Sequence, residues 1–426
     1  MSEIYFYLFI GICSAMLMWG MIRLERVYQY PFFMAAIFIS FILPQANSLL
    51  NATSGFLSPA ALEKVMLYTC MCTGMCWIGY QFYQPKEKWL SKLDFRLDDR
   101  RLFQSGVLLL SIGYACNFAL SRIDIEKTAV GTWTGPATIL IFFAALIYTA
   151  LPIFLLDALK RPSFINMTMT VIAAIPILQS IILYGRRQPT MTFLLTIGMA
   201  FFLMKNYIPP RWVFLVFVVG AIFIIPLLGA LRGDFWSLLF SGDWDKAVTT
   251  SQYHLDRVNK TDILELRNAA LMIDAADLTN RYGYGTRFWD GIIFQYVPGQ
   301  IIGQGLKQSF QFGSSVNLNQ IYGYSVPLGT TTTGIGDSYA EFGYFGCLIF
   351  GLIGRIFKTL WISIFYRGSM ASALLYIGLI SPAMVGITHG IGRFIQEFIF
   401  QVGVIYLVMN FSKITTSNYR SQREFI

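Results

Sequence analysis

Residues 136–158 read PATILIFFAALIYTALPIFLLDA, an apolar run of the length a helix needs to cross the hydrocarbon core of a bilayer, about 20 residues. Comparable runs lie at roughly 4–21, 31–50, 61–82, 102–120, 165–184, 189–204, 212–231, 338–361, 371–388 and 394–411. The composition agrees. Of the 426 residues, 55% are hydrophobic, 16% aromatic and only 13% charged, whereas a soluble domain carries about 25% charged residues. The expected fold is an all-α polytopic membrane protein with about 11 transmembrane helices.

The chain holds 32 Lys and Arg against 23 Asp and Glu, a net charge of +9. In a polytopic protein such an excess reflects loops that hold orientation, not nucleic-acid binding. Counting cations on alternate sides of the runs puts 18 of the 32 on one side, among them Arg23, Arg26, Lys86, Lys160, Arg161, Lys205, Arg367 and Lys413. Only seven fall on the other: Lys64, Arg122, Lys127, Arg186, Arg187, Arg232 and Arg393. The remaining seven sit in a hydrophilic segment of about 233–336, too long to follow the charge rule. The expected topology has the richer side cytoplasmic, the amino terminus and the long segment outside, and the carboxyl terminus inside. The chain thus divides into helices 1 to 8 over 1–232, a large outer loop over 233–336, and helices 9 to 11 with a cytoplasmic tail over 337–426.

All six cysteines lie in apolar runs, so no disulfide framework is expected, and Cys70, Cys72 and Cys76 read as helix packing. The outer segment, with Trp244, Trp289 and several Tyr, is too aromatic for disorder. A helix is expected from near Asp262, with Asp262 and Glu265 at capping-box spacing. Asp277 and Arg281 stand at i,i+4 on it, either as an ion pair on a solvated face or as ligand-binding groups. Residues 289–302, apolar but interrupted by Pro298 and Gly299, predict an interfacial helix.

Ionisable groups at the edge of the apolar slab stand out, because they are costly there unless paired or facing a wet cavity. Arg186 and Arg187 (YGRRQPT) stand at the mouth of a helix, and Arg232 (LRGDFW) leaves the eighth run on the same side. Asp337 and Glu341 (GDSYAEFGYFG) are i,i+4 near the outer start of the ninth helix. His389 and Arg393 (THGIGRFIQE) join the last two helices, with Glu397 one turn further in. Each has a plainer reading: snorkelling to headgroup phosphates for the arginines, structural ion pairing for the acids, and a satisfied structural role for the histidine. The chain has no HExxH, Walker loop or DxD and only two histidines. Arginines with a few acids suit an anionic substrate handled without a metal or cofactor. Guanidinium forks bind phosphate oxygens bidentately, and a carboxylate or imidazole can take the proton of an attacking hydroxyl.

Three stretches carry a family resemblance. GRRQPTMTFLLTIGMAFFL (185–203) resembles a glycine, polar residue and arginine entering a membrane helix. YGYGTRFWDGIIFQYVPGQIIGQGLKQSF (282–310) is similar to the end of a large outer loop with a Tyr/Gly pattern, an apolar stretch and a proline. TTTTGIGDSYAEFGYFGCLIFGLIGRI (330–356) resembles an acidic, x, Tyr, x, x, Phe-Gly-Tyr-x-Gly helix entry. In this order they resemble the Wzy-type oligosaccharide repeat-unit (O-antigen) polymerases, related in architecture to O-antigen ligases.

The resemblance implies a GT-C-like inner-membrane glycosyltransferase of bacterial polysaccharide and lipopolysaccharide biosynthesis. Such an enzyme joins undecaprenyl-diphosphate-linked oligosaccharide units on the periplasmic face and works with a chain-length regulator. The resemblance itself matches Arg187, Asp337 and Tyr339; joined to the charges at the membrane edge, the expected site has Arg186, Arg187, Arg232, Arg281, Arg287 and Arg393 for diphosphate binding, Asp337, Glu341 or His389 as base, and Tyr339 and Tyr284 as substrate contacts. Two competing readings are a ligase with a different acceptor and a transporter or flippase of lipid-linked sugars; the latter would more often carry internal repeats and mid-membrane charges.

Overall fold

The computed structural model describes residues 1–51, 57–123, 136–183, 186–214, 265–313, 318–327 and 329–414, with 216, 241–243, 245, 246, 249 and 316. The described residues form helices, 3-10 and π turns and one isolated bridge between Leu97 and Lys413. The main helices are α1 (Ser2–Ile22), α2 (Tyr30–Asn51), α3 (Pro59–Gln81), α4 (Asp99–Leu120), α5 (Ala137–Lys160), α6 (Phe164–Ile182) and α7 (Arg187–Lys205). After the long hydrophilic segment come α8 (Glu265–Thr279), α9 (Thr286–Tyr296), α10 (Thr333–Phe342), α11 (Leu348–Arg367), α12 (Met370–Thr388) and α13 (Ile391–Ser412).

Local chemistry sets several of these starts. Ser58, Asp98, Ser163 and Ser369 accept from backbone N–H groups three residues on, closing the first turns of α3, α4, α6 and α12, as N-cap side chains do. Gly368, at φ 63, ends α11 in the left-handed region.

Eight described helical stretches are long and apolar enough to cross a membrane: α1, α2, α4, α5, α6, the stretch Thr333–Arg367, α12 and α13. The protein is therefore an all-α polytopic membrane protein. Helices also occupy the predicted runs at 61–82 and 189–204, as α3 and α7, although neither is among those eight. The run at 212–231 lies almost wholly outside the described residues.

The predicted ninth run differs from the expected single helix. Its chain forms α10, breaks at Gly343 (φ 56), makes a 3-10 turn over Gly343–Cys347 and only then continues as α11. The break lets α10 turn aside and pack against α8, with Gly336 over Ala269 and Gly334 against the Gly386 carbonyl of α12. Small residues permit backbones to approach in this way. The same device joins α3 to α11, where a Cβ on Gly79 would run into the backbone of Gly351. The apolar window of α12 is 83% buried, against 22% for α1, so α12 stands at the centre of the bundle.

Contacts between helices respect the predicted alternation of ends. At one end Lys160 meets Asp99 at 2.8 Å, Arg367 meets Asp94 at 3.0 Å and also Glu87, and Leu97 bridges to Lys413. At the other end Lys64 pairs with Asp277, Arg287 approaches Asp337, and Arg393 pairs with Glu397.

The described part of the long hydrophilic segment is built into the bundle. Helix α8 buries Leu266, Asn268, Ala269, Ala270, Ile273 and Ala276. Its Asp277 pairs with Lys64 of α3, not with Arg281, and accepts from Tyr282 at 2.9 Å and Tyr339 at 3.0 Å. Burial and the Asp277 carboxylate push the Tyr282 phenol up to about 12, so it stays a donor to that acid at physiological pH. Asp262 and Trp244 lie outside the described residues. The predicted break at Pro298 separates α9 from the short turn Gly299–Ile302. The six cysteines are free thiols, and Cys70, Cys72 and Cys76 are buried between helices.

Candidate functional site

The end of the bundle where α7 and α13 begin holds a polar hollow of about 530 Å³. Stripes of polar residues at helical spacing face it. Arg393, Glu397 and Gln401 lie at i, i+4 and i+8 on α13, and Gln188, Thr192 and Thr196 do the same on α7. Tyr148 of α5, Ser381 of α12, Gln295 and Tyr296 of α9 and Arg186, the N-cap of α7, complete the polar wall. At 1.5 Å per residue, each stripe descends about 12 Å along its helix.

Side chains in this wall hold one another. The Arg393 guanidinium donates from Nε to Glu397 at 3.2 Å, and from Nη1 to Gln396 at 3.2 Å and Gln295 at 3.5 Å. Gln188 donates to Ser381 at 3.0 Å, and Thr149 to Gln401 at 2.9 Å. The buried hydroxyl of Thr192 has no hydrogen-bond partner among the described residues. A hollow that sets two arginines, one carboxylate, amides and hydroxyls among apolar side chains such as Ile141, Phe294 and Ile377 can take an anionic group together with neutral hydroxyl-bearing matter.

An apolar groove of about 850 Å³ adjoins it, walled by Leu108, Leu109 and Ile112 of α4, Leu146 of α5, and Val404, Leu407 and Phe411 of α13. Phe142, Tyr296 and Phe400 line both spaces. Their rings meet edge-on, Phe142 to Phe400 at 4.4 Å and Phe142 to Tyr296 at 5.7 Å. From Ile399 to Phe411 the groove runs along α13 for about 18 Å.

Asp337 and Glu341 lie outside both spaces. They are buried on α10, and each accepts from a backbone amide at a helix start: Asp337 Oδ2 from Gly392 at 2.8 Å, Glu341 Oε2 from Gly285 at 2.6 Å. Arg287 Nη2 stands 3.8 Å from Asp337 Oδ1, so this arginine serves an acid and does not line the hollow. His389 is exposed beside α13, with its Nδ1 2.7 Å from the Thr388 hydroxyl. Tyr339 is buried against Asp277 and edge-on to Tyr68 at 4.9 Å, which is a packing position. Tyr284 and Arg281 are exposed, Tyr284 with φ 51.

Of the residues singled out from sequence, the hollow therefore gathers Arg186 and Arg393, and α10 gathers Asp337 and Glu341 with Arg287. Arg187 opens α7 next to Arg186, but its side chain, like all of Arg232, lies outside the described residues. Gln188, Gln295, Gln401 and Tyr148 escaped the sequence reading, and Glu397 was noted without a role. The signal that finds them is the stripe: amides and hydroxyls at i, i+4 and i+8 inside otherwise apolar helices. Among the described residues no cluster of His, Cys, Asp and Glu is placed to hold a metal ion.

No family model, no curated protein and no solved structure matches the chain.

Proposed function

We propose that this protein is a glycosyltransferase that joins oligosaccharide units carried on undecaprenyl diphosphate, in the manner of the repeat-unit polymerases it resembles. The reading includes eleven crossings in a GT-C-like layout in a bacterial inner membrane, with the hollow on the periplasmic side. The observation that carries it is that the polar hollow and the apolar groove lie side by side, with Phe142, Tyr296 and Phe400 as their common wall. A substrate with a charged, hydroxylated head and a long hydrocarbon tail has that division of character.

In this reading Arg186 and Arg393, with Arg187 at the same helix mouth, hold the diphosphate. Each charge-assisted bond contributes about 1.5–3 kcal/mol, and the set stabilises the charge that develops as the diphosphate departs. The acceptor hydroxyl oxygen bonds to the anomeric carbon, whose bond to the diphosphate oxygen breaks with its electron pair leaving on the lipid diphosphate. Glu397, which faces the hollow, takes the hydroxyl proton. The direct displacement inverts the anomeric centre. Gln188, Gln295 and Gln401 offer amides to sugar hydroxyls.

The test is the purified protein in lipid nanodiscs with one defined lipid-linked repeat unit. A ladder of products on a gel is the expected outcome, and no elongation by an otherwise folded protein overturns the reading. Deletion in cells separates the ligase alternative: lipid-linked single units accumulate if a polymerase is lost, long lipid-linked chains if a ligase is lost.

A further inference from the structure

Two helices in this chain start alike. Residues 283–288 read GYGTRF and 390–394 read GIGRF: a glycine, another residue and a glycine, followed by an arginine and a phenylalanine, directly at the start of α13 and after Thr286 at the start of α9. The likeness extends to their partners. In each, the first glycine lies against one acid of α10, where a side chain would not fit. A Cβ on Gly283 would collide with both carboxylate oxygens of Glu341, and one on Gly390 would lie 2.9 Å from Asp337 Oδ2. In each, the amide of the second glycine donates to that same acid, Gly285 to Glu341 and Gly392 to Asp337.

A carboxylate at a helix N-terminus satisfies amides that have no partner within the helix and meets the positive end of its dipole. Here one ten-residue helix supplies two, one turn apart. Arg287, in the first turn of α9, stands 3.8 Å from the acid that holds α13, too far for a hydrogen bond to tie the two starts. The phenylalanines that follow, Phe288 and Phe394, are buried beneath them.

We propose that Asp337 and Glu341 are positioning residues. Together they staple the starts of α13 and α9 to α10, and so align Arg393, Gln396 and Glu397 with Gln295 and Tyr296 across the mouth of the polar hollow. The contacts stand on geometry alone; the consequence for substrate rests on reading that hollow as the diphosphate site.

The experiment combines hydrogen exchange of the full chain in nanodiscs with binding of undecaprenyl diphosphate as probe. Asp337→Ala should raise exchange across the first turn of α13 by about tenfold and leave α9 little changed, and Glu341→Ala should do the reverse, as expected for loss of a helix-capping acceptor. Asp337→Ala should also weaken probe binding by about tenfold, and Asp337→Asn, which keeps an acceptor oxygen for Gly392, should restore most of it. Unchanged exchange in both alanine variants overturns the staple. An Asn variant that binds the probe and protects α13 but makes no product overturns the positioning role, since that outcome places Asp337 in the chemistry. If the alanine variants do not fold, Asp337→Glu and Glu341→Asp replace them: the altered lengths should loosen their own helix start only, and loosening of both or neither overturns the proposal. Failure of the unsubstituted protein to bind the probe sinks the functional reading and leaves the exchange result to decide the staple.

Discussion

Two charged pairs in this molecule share a sequence spacing and differ in almost everything else. Asp337 and Glu341 stand at i,i+4 on α10; Arg393 and Glu397 stand at i,i+4 on α13. The first pair is buried and bonded to backbone amides. Arg393 and Glu397 keep 47% and 20% of their side-chain surface exposed in the polar hollow and hold each other at 3.2 Å. A carboxylate held by a helix start cannot change partner without loosening that helix. A pair that borders open space can exchange its partner for a ligand without freeing a helix start. The kind of partner, not the spacing, separates framework from working surface.

The largest expected effect tests the working pair directly. Glu397→Gln should lower turnover by about 10²–10⁴-fold if the carboxylate is the base, measured as product formed per minute from a defined lipid-linked unit; turnover within a few fold of the parent removes Glu397 from the chemistry. Next comes the framework. Gly390 has φ 118 and no room beside Asp337, so Gly390→Ala should cost about 1–3 kcal/mol from backbone strain alone, read as a lowered thermal midpoint in detergent, and an unshifted midpoint would mean that the α13 start is not tightly held. Arg393→Lys keeps the charge and loses the planar fork, so diphosphate binding should weaken by about tenfold without loss of folded protein; equal affinity would show that only charge matters there. The smallest effect belongs to the opposite end. Lys160 and Asp99 form a largely exposed pair, and Lys160→Ala should change stability by about 0–1 kcal/mol and leave product formation unaltered.

Much of the fold was legible in the sequence because lipid imposes a length and a composition on every crossing. The runs at 136–158, 371–388 and 394–411 correspond to α5, α12 and α13 to within a few residues. The ninth run was legible only in part. Its apolar content continues through Gly343, and the turn there depends on α8 and α12 being present for α10 to pack against. The site was legible as a level of the membrane but not as a set of contacts. Arg186 and Arg393 emerge because cations are rare on that side. Gln188 and Gln401 carry no charge, so counting charges passes over them; they acquire meaning only once two helices turn the same stripe inward. Asp277 shows the opposite failure: spacing offered Arg281 as its partner or a ligand, whereas Lys64, distant in sequence, pairs with it in space.

By itself the sequence determined that this chain lives in a bilayer, roughly where it crosses, and at which level its ionisable groups collect, because hydrophobic length and charge placement are local properties that each segment carries alone. Only the tertiary structure decided which of those groups hold helices together and which border open space. That division depends on which backbone amides and which neighbouring helices arrive beside each side chain, and no segment contains that information until the others have packed around it.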